Sequence, residues 1–385
     1  MRILIVHNEY QIRGGEDSVV ESEFKLLSDD HEVEVLYLNN HSVAGFVDKV
    51  KAAIGAIFSL SSYSLIQAQI DSYRPDVVHV HNYFPLISPS VFYACKSRRV
   101  PVVHTLHNYR SICPTSLLML DGKPCERSLH SSVFWAVKRK VYKESYFGTL
   151  TLALLIEFHK AIGTWTKKVD RFIPLTYFSK DKFVTAGFPE QKLAVKPNFC
   201  ENQPVLAADE RGDYACFIGR LSEEKGIAVL CEGWFPLDYE IRIIGDGDVP
   251  RLPVSPSMKF TGRLDRDEAL KTLRCARFIV IPSICYEGFP MAIAEAFACG
   301  TPVLCSQLGS MAEIVENEIT GLHFEPGNAE DLSAKAQWLI DHPEECEQMG
   351  RNAKAEYLEK YTPEKNYEML MGIYQQAIEE AKRSK

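Results

Sequence analysis

Short apolar runs recur along the chain, each followed by a longer stretch in which apolar residues return at helical spacing. ILIVH at 3–7 precedes a helix-like segment at 17–27. VEVLYL at 33–38 precedes a helical region reaching about residue 73, and VVHVH at 77–81, VVHTLH at 102–107 and RFIPLT at 171–176 follow. The rhythm restarts with ACFIG at 215–219, IRIIG at 241–245, KFTG at 259–262, FIVIPS at 278–283 and PVLCS at 302–306. Strands that are apolar on both faces and separated by helices predict parallel sheets covered on each side. Two such sets predict an α/β chain with two doubly wound parallel-sheet domains. A last helix is expected from about Pro363, with Tyr367, Met369, Leu370 and Tyr374 at helical spacing.

The boundary is expected in NFCENQPVLAADERGDY at 198–214, where polar residues, Pro and Gly break the rhythm. The expected domains are 1–200 and 211–365, with a final helix at about 366–385 packing back on the first. A length of 385 residues also favours two cores over one. Hydrophobic residues at 46% and charged residues at 24% are ordinary for a soluble globular protein. The net charge of −8 argues against a nucleic-acid partner, whose phosphates demand cations. It leaves room for a small phosphorylated substrate held by a few local cations. The eleven cysteines are scattered, never spaced CxxC, and sit largely in apolar runs, as Cys216, Cys299 and Cys305 do. That pattern fits small hydrophobes in a reducing compartment. No signal peptide precedes the opening strand MRILIV. No apolar run approaches the roughly 20 residues of a membrane-spanning helix. The expected location is the cytoplasm.

Ligands of open α/β sheets bind beyond the carboxyl ends of the strands, so the residues just after strands are the candidates. ICYEGFPMAIAEAFACGTPV at 284–303 follows FIVIPS and places Glu287 and Glu295 eight positions apart. Pro290 suits a first helical position, and Gly300 suits the residue just past the helix end. The helix then spans about 290–299 and points free N–H groups and its positive dipole end at an anion. Gly288 lets backbone approach a ligand closely. Glu295 lies about 7.5 Å down the axis from Pro290 at helical rise. One carboxylate can therefore serve each side of a bound phosphate, as the sugar and ribose hydroxyls of a nucleotide sugar require. The plain alternative is two solvated glutamates flanking a core helix.

EGFPMAIAE followed by AFACGTPV resembles the E-x7-E signature of retaining glycosyltransferases of family four, which share the GT-B fold: two Rossmann-like domains facing across a cleft. The resemblance implies that Glu287 binds hydroxyls of the transferred sugar and that Glu295 holds the ribose. Backbone of Gly288, Phe289, Pro290 and Met291 would hold sugar and diphosphate. CFIGRLSEEKGI at 216–227 resembles the family's diphosphate segment, with Arg220 and Lys225 as its cations. Two cations beyond a strand are what a diphosphate leaving group needs, since its charge grows as the glycosidic bond breaks. Arg grips two oxygens and Lys supplies a point charge. Without the family context, a solvated loop beside Glu223 and Glu224 is an equal reading.

In the first half, RGGED at 13–17 follows the opening strand. A Gly-Gly pair before a helix can bring backbone amides to a phosphate or an acceptor. It is not the G-x-G-x-x-G dinucleotide fingerprint, which argues against a nicotinamide enzyme. The resemblance places Gly14 and Gly15 near the donor diphosphate and the acceptor. It places His107, at the end of the fourth strand run, near the donor sugar, in preference to His104 inside that run. His79 and His81 share a strand face that a metal can use, but no third ligand partners them in the sequence, and the family generally needs no metal. No metal and no cofactor are therefore expected.

RPDVVHVHNYFPLISPS, HNYRSICP and DGKPCERS resemble a bacterial subgroup that builds surface polysaccharides. That subgroup often carries further cysteines after DGKPC. Here position 128 is Ser128, so Cys113 and Cys125 do not belong to a four-thiolate zinc site. The segment 133–168 mixes cations with Trp135, Tyr142, Phe147 and Trp165, and the stretch around Lys49, Lys51, Ile54 and Phe58 is similar. Both suit the anionic surface of an inner membrane or, equally, a core-facing helix with a basic outer side. The loop at Gly262, Arg263 and Leu264 is expected to meet the base through backbone atoms, and family usage implies uridine. The expected reaction moves a sugar from a nucleotide-diphosphate donor to a hydroxyl of a growing glycan, lipid-linked or part of a lipopolysaccharide. A nucleotide-sugar epimerase of the same fold and a non-catalytic nucleotide-sugar-binding module of a membrane complex are the rivals.

Overall fold

The computed structural model describes residues 1–9, 14–38, 54–206, 210–247 and 254–383. Arg13 of the RGGED motif and Lys49 and Lys51 of the basic stretch lie outside those residues. The chain forms two compact units. The first comprises Met1–Leu118, Cys125–Pro197 and Asn366–Lys385; the second comprises Met119–Pro124 and Asn198–Lys365.

The first unit is built on β1 (Arg2–Asn8), β2 (Glu32–Leu38), β3 (Val77–Asn82), β4 (Val102–Leu106) and, beyond a two-stranded hairpin of β5 (Met119–Leu120) and β6 (Lys123–Pro124) that belongs to the second unit, β7 (Arg171–Pro174). The sheet order is β2-β1-β3-β4-β7, and every pairing within it is parallel. Alternation along the strands sorts the side chains onto two faces. Ile3, Ile5, Val77, Val103 and Ile173 pack against Leu370, Ile373, Tyr374 and Ala377 of the last helix, Pro363–Arg383. Arg171 donates from Nη1 to Glu380 Oε2 at 2.5 Å, fixing that helix to the edge strand. On the other face, His104 lies among the rings of Tyr83, Phe92 and Phe172.

The second unit holds β8 (Ala215–Ile218), β9 (Ile241–Ile244), β10 (Met258–Gly262), β11 (Phe278–Ile281), β12 (Val303–Ser306) and β13 (Gly321–Phe324). Its order is β10-β9-β8-β11-β12-β13, again wholly parallel. Its core gathers Phe217, Trp234, Ile243, Phe278, Val280, Leu304 and Phe324. The final strand, β13, is absent from the sequence reading.

In each unit the chain winds outward on one side of its first strand and then crosses to the other. The order therefore reverses at β1/β3 and at β8/β11. At such switch points the following loops diverge and leave a crevice for ligand.

Candidate functional site

The loops after β8 and β11, on either side of the second unit's switch point, carry the carboxylate and cation motifs. Glu223–Lys225 form one turn of 3-10 helix, and Gly226 follows with φ 70°. A Cβ on Gly226 would lie 1.9 Å from the Pro282 carbonyl oxygen, so only glycine permits this approach. The Ile284 amide donates to the Glu224 carbonyl at 3.0 Å and completes the join.

Across that join Lys225 donates from Nζ to Glu287 Oε1 at 2.6 Å. The Ser283 hydroxyl donates to the same oxygen, also at 2.6 Å. Burial by itself would raise the Glu287 carboxyl, but Lys225 and the Ser283 hydrogen bond overcome it and hold the carboxyl below the ordinary range. Burial likewise opposes the Lys225 charge, and Glu287 outweighs it and raises the ammonium's pKa. The site thus keeps an ionised pair at the strand ends. Arg220 is brought to a different partner: its guanidinium is exposed and lies 3.2 Å from Glu224 Oε1.

The helix after Glu287 spans Met291–Ala298. Pro290 is its N-cap, with extended ψ of 104°, and not the first helical residue expected from the sequence. The chain is still turning there, because the Phe289 ring packs near Tyr361, at 5.8 Å between centroids. Phe289 is thereby committed to the core, leaving Gly288 and the backbone through Met291 for a ligand. At the other end Gly300 has φ 65° and donates to Phe297 O at 3.0 Å, while Thr301 donates to Ala296 O at 2.8 Å. These are the paired bonds of a Schellman ending. Arg211 donates to the carbonyls of Cys299 and Gly300 at 3.2 and 2.8 Å, consuming helix-end acceptors.

Glu295 is half-buried on this helix, 4.0 Å from Arg266. Burial raises its carboxyl to about 6, with Arg266 pulling the other way. Arg266 was not found from the sequence, and neither was the GDG run at 245–247. Asp246 stitches two expected loops together. Its carbonyl accepts from the Leu221 amide at 2.9 Å, and its Oδ1 accepts from the Arg263 amide at 3.1 Å. Gly262 has φ 71° and accepts from the Gly245 amide at 3.0 Å. Arg263 is exposed and Leu264 half-buried.

In the first unit, Gly14 caps the helix Gly15–Ser28 in an extended conformation, and its amide donates to Asp17 Oδ2 at 2.7 Å. A Cβ on Gly14 or Gly15 would meet nothing within 4 Å among the described residues. No contact of this kind among the described residues demands glycine there.

His107 follows β4, with its Nε2 2.9 Å from His81 Nδ1. It lines a cavity with Asn82, Tyr83, Asn108 and Arg110. Burial, then repulsion from His81 and His7, hold its pKa well below the ordinary value. His104 is instead embedded in the aromatic layer, its Nδ1 2.9 Å from the Val80 carbonyl.

Glu23, His79 and His81 bring three ligand-type atoms within 4.8 Å of one another. The two strand histidines therefore do have a third potential ligand, from a helix far away in sequence. His79, however, is engaged at both nitrogens, 2.7 Å from Tyr374 Oη and 2.7 Å from Thr105 Oγ1. The buried Lys196 ammonium lies 3.4 Å from the Glu23 carboxylate. A divalent ion here would have to displace those partners and tolerate that cation. Ser128 lies beside Cys113, with Oγ 3.5 Å from Sγ, and both Cys113 and Cys125 are free thiols.

Comparison with known proteins places these motifs in context. The model described as Glycosyltransferase Family 4 matches residues 12–201, and the one described as glycosyl transferases group 1 matches residues 199–356. A D-rhamnosyltransferase, WbpZ, of Pseudomonas aeruginosa is 27% identical over 155 residues, 38% of this chain and 41% of that protein. An uncharacterized glycosyltransferase of Methanocaldococcus jannaschii, MJ1178, is 30% identical over 179 residues, 45% of this chain and 50% of its own length. The chain thus spans half or less of these curated relatives. Among solved structures, Anabaena Alr3699/HepE in complex with UDP has TM-score 0.67 at 17% identity, covering 100% of both chains. A sucrose-phosphate synthase of Thermosynechococcus elongatus has TM-score 0.70 at 18% identity, covering 97% of this chain and 98% of its own.

Proposed function

The chain belongs to the family-four-like glycosyltransferases of the GT-B fold, and from that premise we propose that it moves a sugar from a nucleotide-diphosphate donor, UDP-linked, to a hydroxyl of a growing glycan. The observation that carries this reading is the Lys225–Glu287 pair at the β8/β11 switch point, which sets a fixed cation beside a fixed carboxylate. Lys225, with the exposed Arg220 side chain, neutralises the diphosphate as its charge grows. Glu287 accepts hydrogen bonds from hydroxyls of the sugar, and Glu295 accepts them from the ribose. The amides of Gly288, Phe289 and Met291, at the uncapped start of the helix, meet phosphate oxygens. Gly262, Arg263 and Leu264 meet the base. Gly14 and Gly15 leave room for diphosphate or acceptor, and His107 meets the sugar.

In this reading the anomeric configuration is retained and Glu287 positions the ring without becoming a covalent nucleophile. The cations do the work that a metal does elsewhere, so transfer proceeds without one. Support for the donor comes from HepE structures containing UDP, UDP with glucose, and UDP-glucose. The test is a thermal-shift screen over UDP-, GDP- and dTDP-sugars, followed by transfer assays with chelator present and anomeric analysis of the product. Stabilisation by UDP-sugars with chelator-resistant transfer supports the proposal. Turnover of donor without acceptor, giving an isomeric sugar, indicates the epimerase, and binding without any turnover indicates the silent module.

A lipid-linked acceptor at an anionic membrane is a second element of the proposal, and the helix Tyr146–Ala161 favours it. Tyr146, Phe147, Leu150, Leu154 and Phe158 are all exposed along it, beside the exposed cations Lys138, Lys140, Lys143 and Lys160. The aromatic residues singled out in the sequence divide differently. Trp165 is buried against Phe92 and Phe188, Tyr142 packs on Phe84 and Trp135 is half-buried, so of those four only Phe147 is exposed. No helix among the described residues is long and apolar enough to cross a membrane.

A further inference from the structure

β3 carries His79 and His81 on one face, and the helix Gly15–Ser28 lays Glu23 against both. Glu23 Oε1 is 3.0 Å from His79 Nδ1 and 3.5 Å from His81 Nε2, and Lys196 Nζ is 3.4 Å from Oε2. Glu23, His81 and Lys196 are almost wholly shielded from solvent. From these contacts we infer that Glu23 and His81 act as positioning residues, holding His107 in the neutral tautomer protonated at Nε2 so that its Nδ1 is left to accept a hydrogen bond from a substrate hydroxyl.

Burial alone would raise the Glu23 carboxyl, but the Lys196 ammonium and the hydrogen bond from His79 hold it well below its usual range, so it is ionised and can only accept. The His81 Nε2 faces that anion, which favours a proton there and repels a lone pair. Burial lowers His81 to about 3, so the ring is neutral and its Nδ1 is bare. The 2.9 Å contact between His81 Nδ1 and His107 Nε2 then has one sense only: Nε2–H of His107 donates. His107 is itself neutral, so its single proton is spent and Nδ1 carries a lone pair. Among the described residues, the other titratable and charged groups near these rings include His7, paired with Asp17, from β1; His79 from β3; His104 from β4; Tyr83 and Arg110, which line the His107 cavity; Lys196; and Tyr374 from the last helix.

This inference rests on the proposed glycosyl transfer for its consequence: a bare Nδ1 selects a hydroxyl, whether of donor sugar or acceptor, over a phosphate oxygen, which has no proton to give. It does not rest on that reading for its test. Histidine-selective 15N NMR of the full chain reads each imidazole tautomer directly. His107 is expected in the Nε2–H form from about pH 6 to 8, where a free imidazole would titrate. His81→Phe should leave His107 as a mixture of tautomers, whereas His81→Asn, which can offer an amide oxygen near the former Nδ1, should restore the Nε2–H form. Glu23→Gln should shift His81 between tautomers. In transfer assays, His81→Phe should lower kcat about ten- to a hundredfold with donor KM little changed, and His81→Asn should recover most of it. An Nδ1–H form of His107 in the native protein, or a His107 tautomer indifferent to His81→Phe, overturns the inference. If the tautomers behave as expected but no donor supports transfer, the inference stands and the proposed function fails.

Discussion

Lys225 and Glu287 lie 62 positions apart in sequence, yet their side chains meet at 2.6 Å between loops that follow neighbouring strands of one sheet. Neither loop could move independently without exposing a half-shielded charge. Breaking the pair from one side should therefore cost more than removing it entirely. Lys225→Met is expected to lower stability by about 1–3 kcal/mol, a range that discounts a buried-pair cost for partial exposure. It should also reduce kcat by about a hundredfold or more through loss of charge stabilisation at the leaving diphosphate. The double variant Lys225→Met/Glu287→Gln should recover most of the stability and none of the activity. Denaturant melts alongside transfer assays check both; recovery of activity in the double variant would count against the assigned roles.

Glu295 gives a pH signature with a definite sign. Its carboxyl is raised to about 6 against an ordinary value of 4.5, a difference of about 1.5 units, or about 2 kcal/mol. A folded-state pKa above the unfolded one means the folded chain binds the proton more tightly. The associated stability is complete below about pH 4.5 and is lost as pH rises through about 6. Glu295→Gln should remove that slope and stabilise the free protein at neutral pH. If the carboxylate takes ribose hydroxyls, the same change should raise donor KM with little effect on kcat. Melts between about pH 5 and 8, with and without UDP, decide the matter, since hydroxyl donors favour the ionised form and should flatten the slope.

The residues that sequence reading located are those whose chemistry is local. FIVIPS is apolar on both faces and VVHVH is apolar but for two histidines on one face, so neither reads as an exposed strand, and EGFP carries its own turn and helix start. GLHF, which became β13, is four residues opening on glycine, too short and weak for a pattern to register. The GDG run reads as an ordinary turn. Its reason is spatial: a Cβ on Gly245 would lie 1.8 Å from the Gly219 carbonyl oxygen. Glu23 occupies an unremarked helix position, 56 residues before His79, and Lys196 comes 117 after it. Nothing in their spacing announces a shared buried charge cluster. Pairings of that kind depend on which helix covers which strand, which periodicity does not specify.

Two glycines should respond oppositely to the same substitution. Gly15 sits at the first position of its helix, and a Cβ there meets nothing within 4 Å among the described residues, so Gly15→Ala should leave the fold intact, or add about 0.5 kcal/mol through reduced unfolded-state freedom. Its effect should fall on donor or acceptor binding as a raised KM. Gly226→Ala places a Cβ 1.9 Å from backbone at φ 70° and should lower stability by several kcal/mol. Circular dichroism melts and steady-state kinetics on the pair discriminate the cases. A destabilised Gly15→Ala would show that the glycine serves the fold and not a ligand.

The stripe on Tyr146–Ala161 makes the membrane proposal quantitative. Phe147, Leu150, Leu154 and Phe158 return every three to four residues on the outer side, while Leu152, Ala153, Leu155 and Ile156 are buried. An apolar stripe turned to water costs free energy unless a partner covers it. The cations beside it would draw that partner from anionic surfaces, each worth about 1 kcal/mol near such a surface. Replacing Phe147, Leu150, Leu154 and Phe158 with Ser should abolish sedimentation with anionic liposomes. Neutralising Lys138, Lys140 and Lys143 should weaken it on phosphatidylglycerol vesicles and matter little on neutral ones. Transfer to a short water-soluble acceptor should persist in both variants, because none of these residues belongs to the donor site. Equal partitioning of native and apolar-stripe variants would remove the membrane from the account and leave a soluble or protein-bound acceptor as the substrate.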